Sequence, residues 1–485
     1  MATLRRSLVI NFFSSSGAAF LQFLVSVILA RLLAPNEIGV FSMTVVIVNV
    51  AHIFRDFGVA SYVQREPDLT VEKMRSAIGV MLASSWTICV LLFTLSGALA
   101  RWFGEPGMAP VMRVLALGFF VIPFGSITNS LLVRRFAADK QALVSAASTI
   151  TYCTVCLTLA TCGFGTMSLA WANLVSLVVT ALALLPLRPP GMPWLPGLAH
   201  WRAIVHFGLG TLLVNCTTAV NNAIPDLLLG KLGNARLVGL LSRANSTVSI
   251  FGYVAGSTVT YGAVSYLSQA HHRGESLAPV VARATALLTG VAWPAFACTA
   301  LLGADIVLAL YGQGWRDSVP AILPLTVSAA VAMVFHYTPS ALIALGRPYL
   351  GALPVLVMLV SRIGFGYVLY DGRLASFAWA ICLATLAATP VMWWQQRRHL
   401  GMGRLVQALA PSMAVTLACG LTCCALQYLL PLAPGATRLL AMALPLVLAW
   451  YGALRLTRHV LVNEVHHLGA GLLVRLKLRP VGGAG

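Results

Sequence analysis

Apolar stretches of about 20 to 25 residues recur along the chain, each long enough for a helix to cross a hydrocarbon layer about 30 Å thick. They predict spans near residues 12–34, 38–58, 77–100, 112–133, 141–163, 167–186, 207–230, 237–267, 280–302, 319–345, 350–370, 374–394, 406–430 and 436–455. The pattern predicts an all-α polytopic membrane protein with about 14 transmembrane helices and no extended soluble domain between them. Composition agrees, because 59% hydrophobic and only 9% charged residues leave more apolar surface than a soluble core can hide. Arg5 and Arg6 precede an apolar run that lacks a small-residue cleavage site, which reads as an uncleaved first span and not as a signal peptide.

The formal net charge of +19 would suggest nucleic acid in a soluble protein, but here the basic residues sit in the short connectors. With the N-terminus placed in the cytoplasm, alternate connectors hold 22 Lys and Arg on the inner side against 9 on the outer side. That bias predicts a multi-pass protein of a bacterial inner membrane with both termini cytoplasmic. No nucleic-acid partner is expected. The 10 cysteines, including the Cys153 and Cys156 C-x-x-C pair and adjacent Cys423 and Cys424, fall within or beside spans and read as small packing residues. Neither a metal nor a cofactor is expected.

Sliding the chain by 200 residues sets ARLLAPNEIGVFS (30–42) against GKLGNARLVGLLS (230–242) without a gap. Leu32, Gly39 and Ser42 then meet Leu232, Gly239 and Ser242, while Arg31 meets Lys231. A weaker match follows in the same order, between residues 62–86 and 266–293. The repeat predicts a six-helix lobe over 1–187, a proline-rich cytoplasmic linker over 188–206 and a second six-helix lobe over 207–395. Two additional transmembrane helices over 396–456 and a basic cytoplasmic tail over 457–485 complete the scheme. The tail suits either a segment lying on the anionic leaflet or a solvated end.

Five segments, LARLLAPNEIGVFSM (29–43), DFGVASYVQREPDLT (56–70), NSLLVRRF (129–136), PDLLLGKLGNARLVG (225–239) and YGQGWRDSVPAILPL (311–325), occur in an order and spacing that resembles bacterial polysaccharide flippases. These are the Wzx-like branch of the multidrug/oligosaccharidyl-lipid/polysaccharide exporter superfamily. The resemblance covers roughly the first 400 residues. It implies two lobes around a central cavity, alternating access, and transport of an undecaprenyl-diphosphate-linked oligosaccharide from the cytoplasmic to the periplasmic leaflet. The other partners it implies are membrane lipids and the polysaccharide polymerase or export machinery.

In that superfamily the first two spans of each lobe line the cavity. Here they carry Gln22, Arg31, His52, Arg55 and Asp56, and then Asn222, Asp226, Arg243, Asn245 and Tyr253. Ionisable groups at membrane depth are costly and belong against protein or in a wet cavity. Arginine suits phosphate through paired charged hydrogen bonds, and asparagine and tyrosine suit sugar hydroxyls. Candidate substrate ligands are therefore Arg31, Lys231, Arg243, Asn222, Asn245 and Tyr253. The bland reading for Arg31, Lys231 and Arg243 is that they snorkel to an interface. Arg55 and Asp56 are candidates for a gate salt bridge or a purely structural pair. Asp226, beside the helix-loosening Pro225, is the candidate coupling carboxylate or a static partner of Arg243.

An enzyme of surface assembly is disfavoured, because every outer connector is short and no nucleophile and base pair stands out. A drug antiporter would share the fold but favours an acidic cavity. That antiporter is the stronger rival, and a lipid II flippase is the other close alternative. Without a G-x-x-x-x-G-K-[ST] loop, the expected driving force is the membrane potential or an ion gradient.

Overall fold

The computed structural model describes residues 2–66, 68–135, 137–261, 267, 269, 273, 274, 276–400 and 402–462, and among these the chain is helical with no strand. The basic tail from residue 463 onward lies outside the described residues. In chain order the helices are α1 (Ala2–Leu32), α2 (Pro35–Asp56), α3 (Val59–Arg65), α4 (Val71–Phe103), α5 (Met108–Val121) and α6 (Pro123–Arg134). Next come α7 (Ala138–Thr161), α8 (Thr166–Leu184), α9 (Trp201–Leu232), α10 (Ala235–Tyr261), α11 (Leu277–Leu301) and α12 (Gly303–Leu310). The last are α13 (Val319–Val334), α14 (Thr338–Ala344), α15 (Ala352–Leu369), α16 (Leu374–Leu400), α17 (Met402–Leu429) and α18 (Ala436–Leu456).

Each expected span falls on a helix or a helix pair, yet the count of fourteen is not reached by length and apolarity. Ten helical segments qualify among the described residues, or 11 if the pair α5 and α6, bent by 57°, forms one broken span. The bend falls where Pro123 opens α6 and cannot donate a backbone hydrogen bond. Of the long helices, α1, α9 and α10 all contribute residues to the internal cavity.

Helices α1 to α8 pack mainly among themselves, α7 against α8 and α1, and α4 and α8 against α5. Helices α9 to α16 form a second group through α15 on α9 and α16, and α13 on α11 and α16. The first group is called bundle one below and the second bundle two. The two meet where α2 crosses α10. A Cβ on Gly39 would sit 1.7 Å from the Ala235 carbonyl oxygen, and one on Gly239 would sit 1.9 Å from that of Pro35. The crossing is reciprocal under the 200-residue shift and brings backbone against backbone, which only glycine permits. At the other end of α2 the chain reverses through Phe57 and Gly58, with φ of 42° and 70°. There Gly208 of α9 approaches so closely that an added Cβ would lie 2.0 Å from the Phe57 carbonyl oxygen.

Proline 225 has no N–H, so the carbonyl of Asn221, four residues earlier, loses its helical donor. The Arg362 guanidinium of α15 supplies one at 2.6 Å. Of the appended helices, α17 docks on α11, and α18 packs against α17 and α12. The buried imidazole of His459, just past α18, bonds Ser412 at 3.0 Å and lies against Gly290, where a Cβ would come within 2.5 Å of the ring. Arg438 pairs with the buried Asp305 at 3.2 Å. Outward faces are apolar, as at Val360, Val368, Leu440 and Leu444, and suit lipid. Cys153 and Cys156 are buried free thiols packed within α7.

Gly39→Val is expected to destabilise the protein by more than about 2 kcal/mol, because backbone at that distance cannot give way. Gly97→Val on α4, where an added Cβ meets nothing within 4 Å, serves as the control. Thermal melting in detergent checks this, and equal melting of the two variants would contradict the crossing.

Candidate functional site

Three adjoining cavities of about 520, 490 and 610 Å³ run through the interior. The first lies beneath the α2 and α10 crossing and is lined by Ser26, Ser42, Tyr152, Asn173, Asp226 and Arg243 among others. It shares Gln22, Ser148 and Thr149 with the second. The second shares Arg55, Ser126 and Asn129 with the third, which also meets His52, Asp56 and Asn222. The result is a polar track from Arg243 at one end to Asp56 and Asn222 at the other.

The roof of the first cavity is a set of bonds between the bundles. Arg31 of α1 donates from Nε to the Leu310 carbonyl at 3.0 Å and from its terminal nitrogen to Ala309. Lys231 of α9 donates to the Trp102 carbonyl at 2.6 Å and lies 4.7 Å over that indole ring. Both acceptors belong to the last turn of a helix, α12 in one case and α4 in the other. Carbonyls there lack intrahelical donors and carry the negative end of the helix dipole, so a cation satisfies both needs. Because Arg31 and Lys231 are equivalent in the repeat, the two latches are reciprocal. The indole of Trp315 donates to the Ala30 carbonyl, and Glu105 accepts from the Ala235 amide at 3.1 Å.

Arg243 stands just inside this roof. It donates to the Ser26 carbonyl at 3.2 Å, with its guanidinium 5.7 and 5.8 Å from the rings of Tyr311 and Trp315. Asp226 opens onto the same cavity, and no ion pair joins it to Arg243 among the described residues. Arg55 faces the second and third cavities, its Nε is buried without a hydrogen-bond partner, and no ion pair joins it to adjacent Asp56. Neighbouring positions on a helix point about 100° apart, which accounts for that separation. Asn222 lines the third cavity, whereas Asn245 is exposed on α10 and lines none of the three. The side chain of Tyr253 lies outside the described residues.

Thus Arg243, Asp226, Arg55, Asp56 and Asn222 lie along one track, while Arg31 and Lys231 hold its roof shut. The sequence reading passed over α7 and α8. Gln141, Ser145, Ser148, Thr149 and Tyr152 on α7 and Asn173, Ser176 and Thr180 on α8 line the cavities. Their spacing of three or four residues, one polar stripe on each apolar span, was the available signal.

Two helical bundles that enclose a polar track and are latched across one end define a membrane transporter of the alternating-access kind. The chain belongs to the family described as Polysaccharide biosynthesis protein, which matches it over residues 28–320. It is 25% identical over 332 residues to the succinoglycan biosynthesis transport protein ExoT of Rhizobium meliloti (strain 1021), covering 68% of this chain and 67% of that one. It is 20% identical over 327 residues to the lipopolysaccharide biosynthesis protein WzxC of Escherichia coli (strain K12), covering 66% and 65%. Among solved structures, the lipid II flippase MurJ in an inward closed conformation is similar with a TM-score of 0.75 and 11% identity, covering 94% of this chain and 99% of that one. An inward-facing multidrug resistance MATE family transporter of the MOP superfamily gives 0.63 and 17%, covering 81% and 98%. At those identities the two structures show a shared fold.

Removing both latches in Arg31→Ala/Lys231→Ala should favour the roof-open state by tenfold or more, since each charged hydrogen bond contributes about 1.5 to 3 kcal/mol. A Ser42→Cys reporter in a background with the natural cysteines replaced by alanine reads this out. Its labelling by an impermeant maleimide added on the roof side should accelerate, and an unchanged rate would remove the latch role.

Proposed function

We propose that the chain flips undecaprenyl-diphosphate-linked oligosaccharide units from the cytoplasmic to the periplasmic leaflet of a bacterial inner membrane. The observation that carries this reading is the cavity itself. It presents the cationic side chains of Arg55 and Arg243 amid hydroxyl and amide groups. An anionic diphosphate attached to a polyol calls for both features at once. The relatives named for succinoglycan transport and lipopolysaccharide biosynthesis support the same substrate class.

The 22 to 9 excess of Lys and Arg supports cytoplasmic termini. The latched roof then faces the periplasm, and the structure is a state ready to load from inside. In this reading residues 1–187 and 207–395 move as the two lobes about the 188–206 linker, and 396–456 add a lipid-facing pair. Arg55 and Asn222 meet the head group on entry, and Asp56 holds the inner gate. Arg243 takes the phosphates beneath the roof. Arg31 and Lys231 become ligands only when the roof parts. Asp226 takes up the proton or cation that resets the empty carrier. The product passes to the polysaccharide polymerase or export machinery. Lipid II is the second substrate to test, on the strength of the likeness to MurJ.

An interior-negative potential drives an anion outward by about 2.3 kcal/mol per charge per 100 mV, so two phosphate charges gain up to about 4.6 kcal/mol. Flipping of the lipid-linked saccharide in proteoliposomes should rise with an imposed potential and need no ATP. Arg243→Ala and Arg55→Ala should each lower it at least tenfold, on the order of 1.4 kcal/mol, while the lysine variants keep part of it. Wild-type rates in both alanine variants would remove the phosphate reading, and faster flipping of lipid II than of oligosaccharide carriers would favour the second substrate.

A further inference from the structure

Most interior hydroxyls in this protein are spent on their own helices. Thr44, Thr151 and Thr289 all donate to the carbonyl four residues earlier, at 2.7 to 2.8 Å. Around the track Ser176 and Thr180 keep this pattern, donating to the Asn173 and Ser176 carbonyls at 2.8 Å, and others break it. Gln22, Ser42, Ser126, Ser145, Thr149 and Asn173 line the first and second cavities, and their side chains hold no hydrogen-bond partner among the described residues. Gln141 and Asn129 bond each other at 3.3 Å, through the amide nitrogen of one and the oxygen of the other. That leaves the Gln141 oxygen and the Asn129 amide nitrogen for a ligand.

These groups also share one origin. The second cavity is built from α1, α2 and α6 to α8 alone, together with Ile122 between α5 and α6. It contains Arg55 and no carboxylate. Bundle two reaches the first cavity through Asp226, Ser242 and Arg243, and the third through Thr218, Ala219 and Asn222. If the bundles rock as units, compartments shared between them are remade at each half-cycle, whereas one built within a single bundle persists.

We propose that the saccharide is read by bundle one alone, on the α7 and α8 stripe centred on Ser145, Thr149 and Asn173, and that it rides with that bundle while bundle two swings past. This rests on the flippase reading above and deepens it. The stripe offers donors and acceptors of neutral groups, matching ring hydroxyls, and Tyr152 beside them gives an aromatic face for the apolar side of a pyranose. Arg55 at the edge of the same compartment places the diphosphate at one end of the sugar. Saccharide selectivity accordingly resides in residues 141–180, and bundle two contributes no selectivity among carriers that share a diphosphate.

The test uses the full chain in detergent with two probes, undecaprenyl diphosphate and its glucosyl derivative, whose affinities are measured by thermal stabilisation. Wild type should prefer the glucosyl carrier about tenfold, the worth of one or two well-placed neutral hydrogen bonds. Thr149→Val and Asn173→Leu should each reduce that ratio several-fold, and Thr149→Ser should restore it. Thr158→Val, on the same helix but with its hydroxyl bonded to its own backbone, should leave the ratio unchanged. A wild-type ratio near one, or one that survives Thr149→Val and Asn173→Leu, overturns the one-bundle reading alone. Binding of neither probe by the wild type overturns the flippase reading beneath it.

Discussion

The backbone crossing of α2 and α10 at Gly39 and Gly239 is the contact on which the rest of the structure depends. With no side chain at either position, the first turns of the two helices touch directly. That close approach brings Arg31 within reach of the end of α12, Lys231 within reach of the end of α4, and Trp315 against α1. The roof is held largely by hydrogen bonds to backbone carbonyls instead of by interdigitated apolar side chains. Such bonds are directional and can be exchanged for water, so a seal made of them can be firm when closed and still release. A broad apolar seal would resist opening in proportion to the area it buries.

Beneath the roof, the protein maintains polar groups at a depth where lipid would not tolerate them. Arg55 and Arg243 stand on the track, and the hydroxyls of Ser145 and Thr149 on α7 hold no hydrogen-bond partner among the described residues. Unsatisfied polar groups in a dry interior are destabilising, so the track must be wet or filled. Elsewhere buried charges are spent on the fold, as where Arg362 supplies the donor that Pro225 removes from α9, or where Arg438 meets Asp305 under the appended helices. The contrast separates groups that hold the fold from groups that are kept available.

Much of this architecture was legible in the amino-acid sequence. The apolar stretches located the helices, and the 200-residue shift aligned Gly39 with Gly239 and Arg31 with Lys231, the residues of the crossing and of the latches. Spacing could not say what those basic residues face. Their partners are main-chain carbonyls of α12 and α4, which no side-chain pattern reveals. The span expected at 112–133 is broken at Pro123, because a hydropathy window senses apolarity and is blind to a bend within it. The α7 and α8 stripe escaped notice because serine and threonine are common in membrane helices and usually bond their own backbone. Only the structure shows which of them do not.

The central claim is that this chain carries a diphosphate-linked saccharide across the bilayer, and the distribution of that lipid in cells tests it most directly. In spheroplasts lacking the gene, the undecaprenyl-linked saccharide should accumulate on the cytoplasmic leaflet, where a lectin or glycosidase reaches it only after the membrane is opened. Restoring the gene should expose it on the outer leaflet. Accumulation on the periplasmic leaflet, or a distribution unaffected by the deletion, would contradict the account.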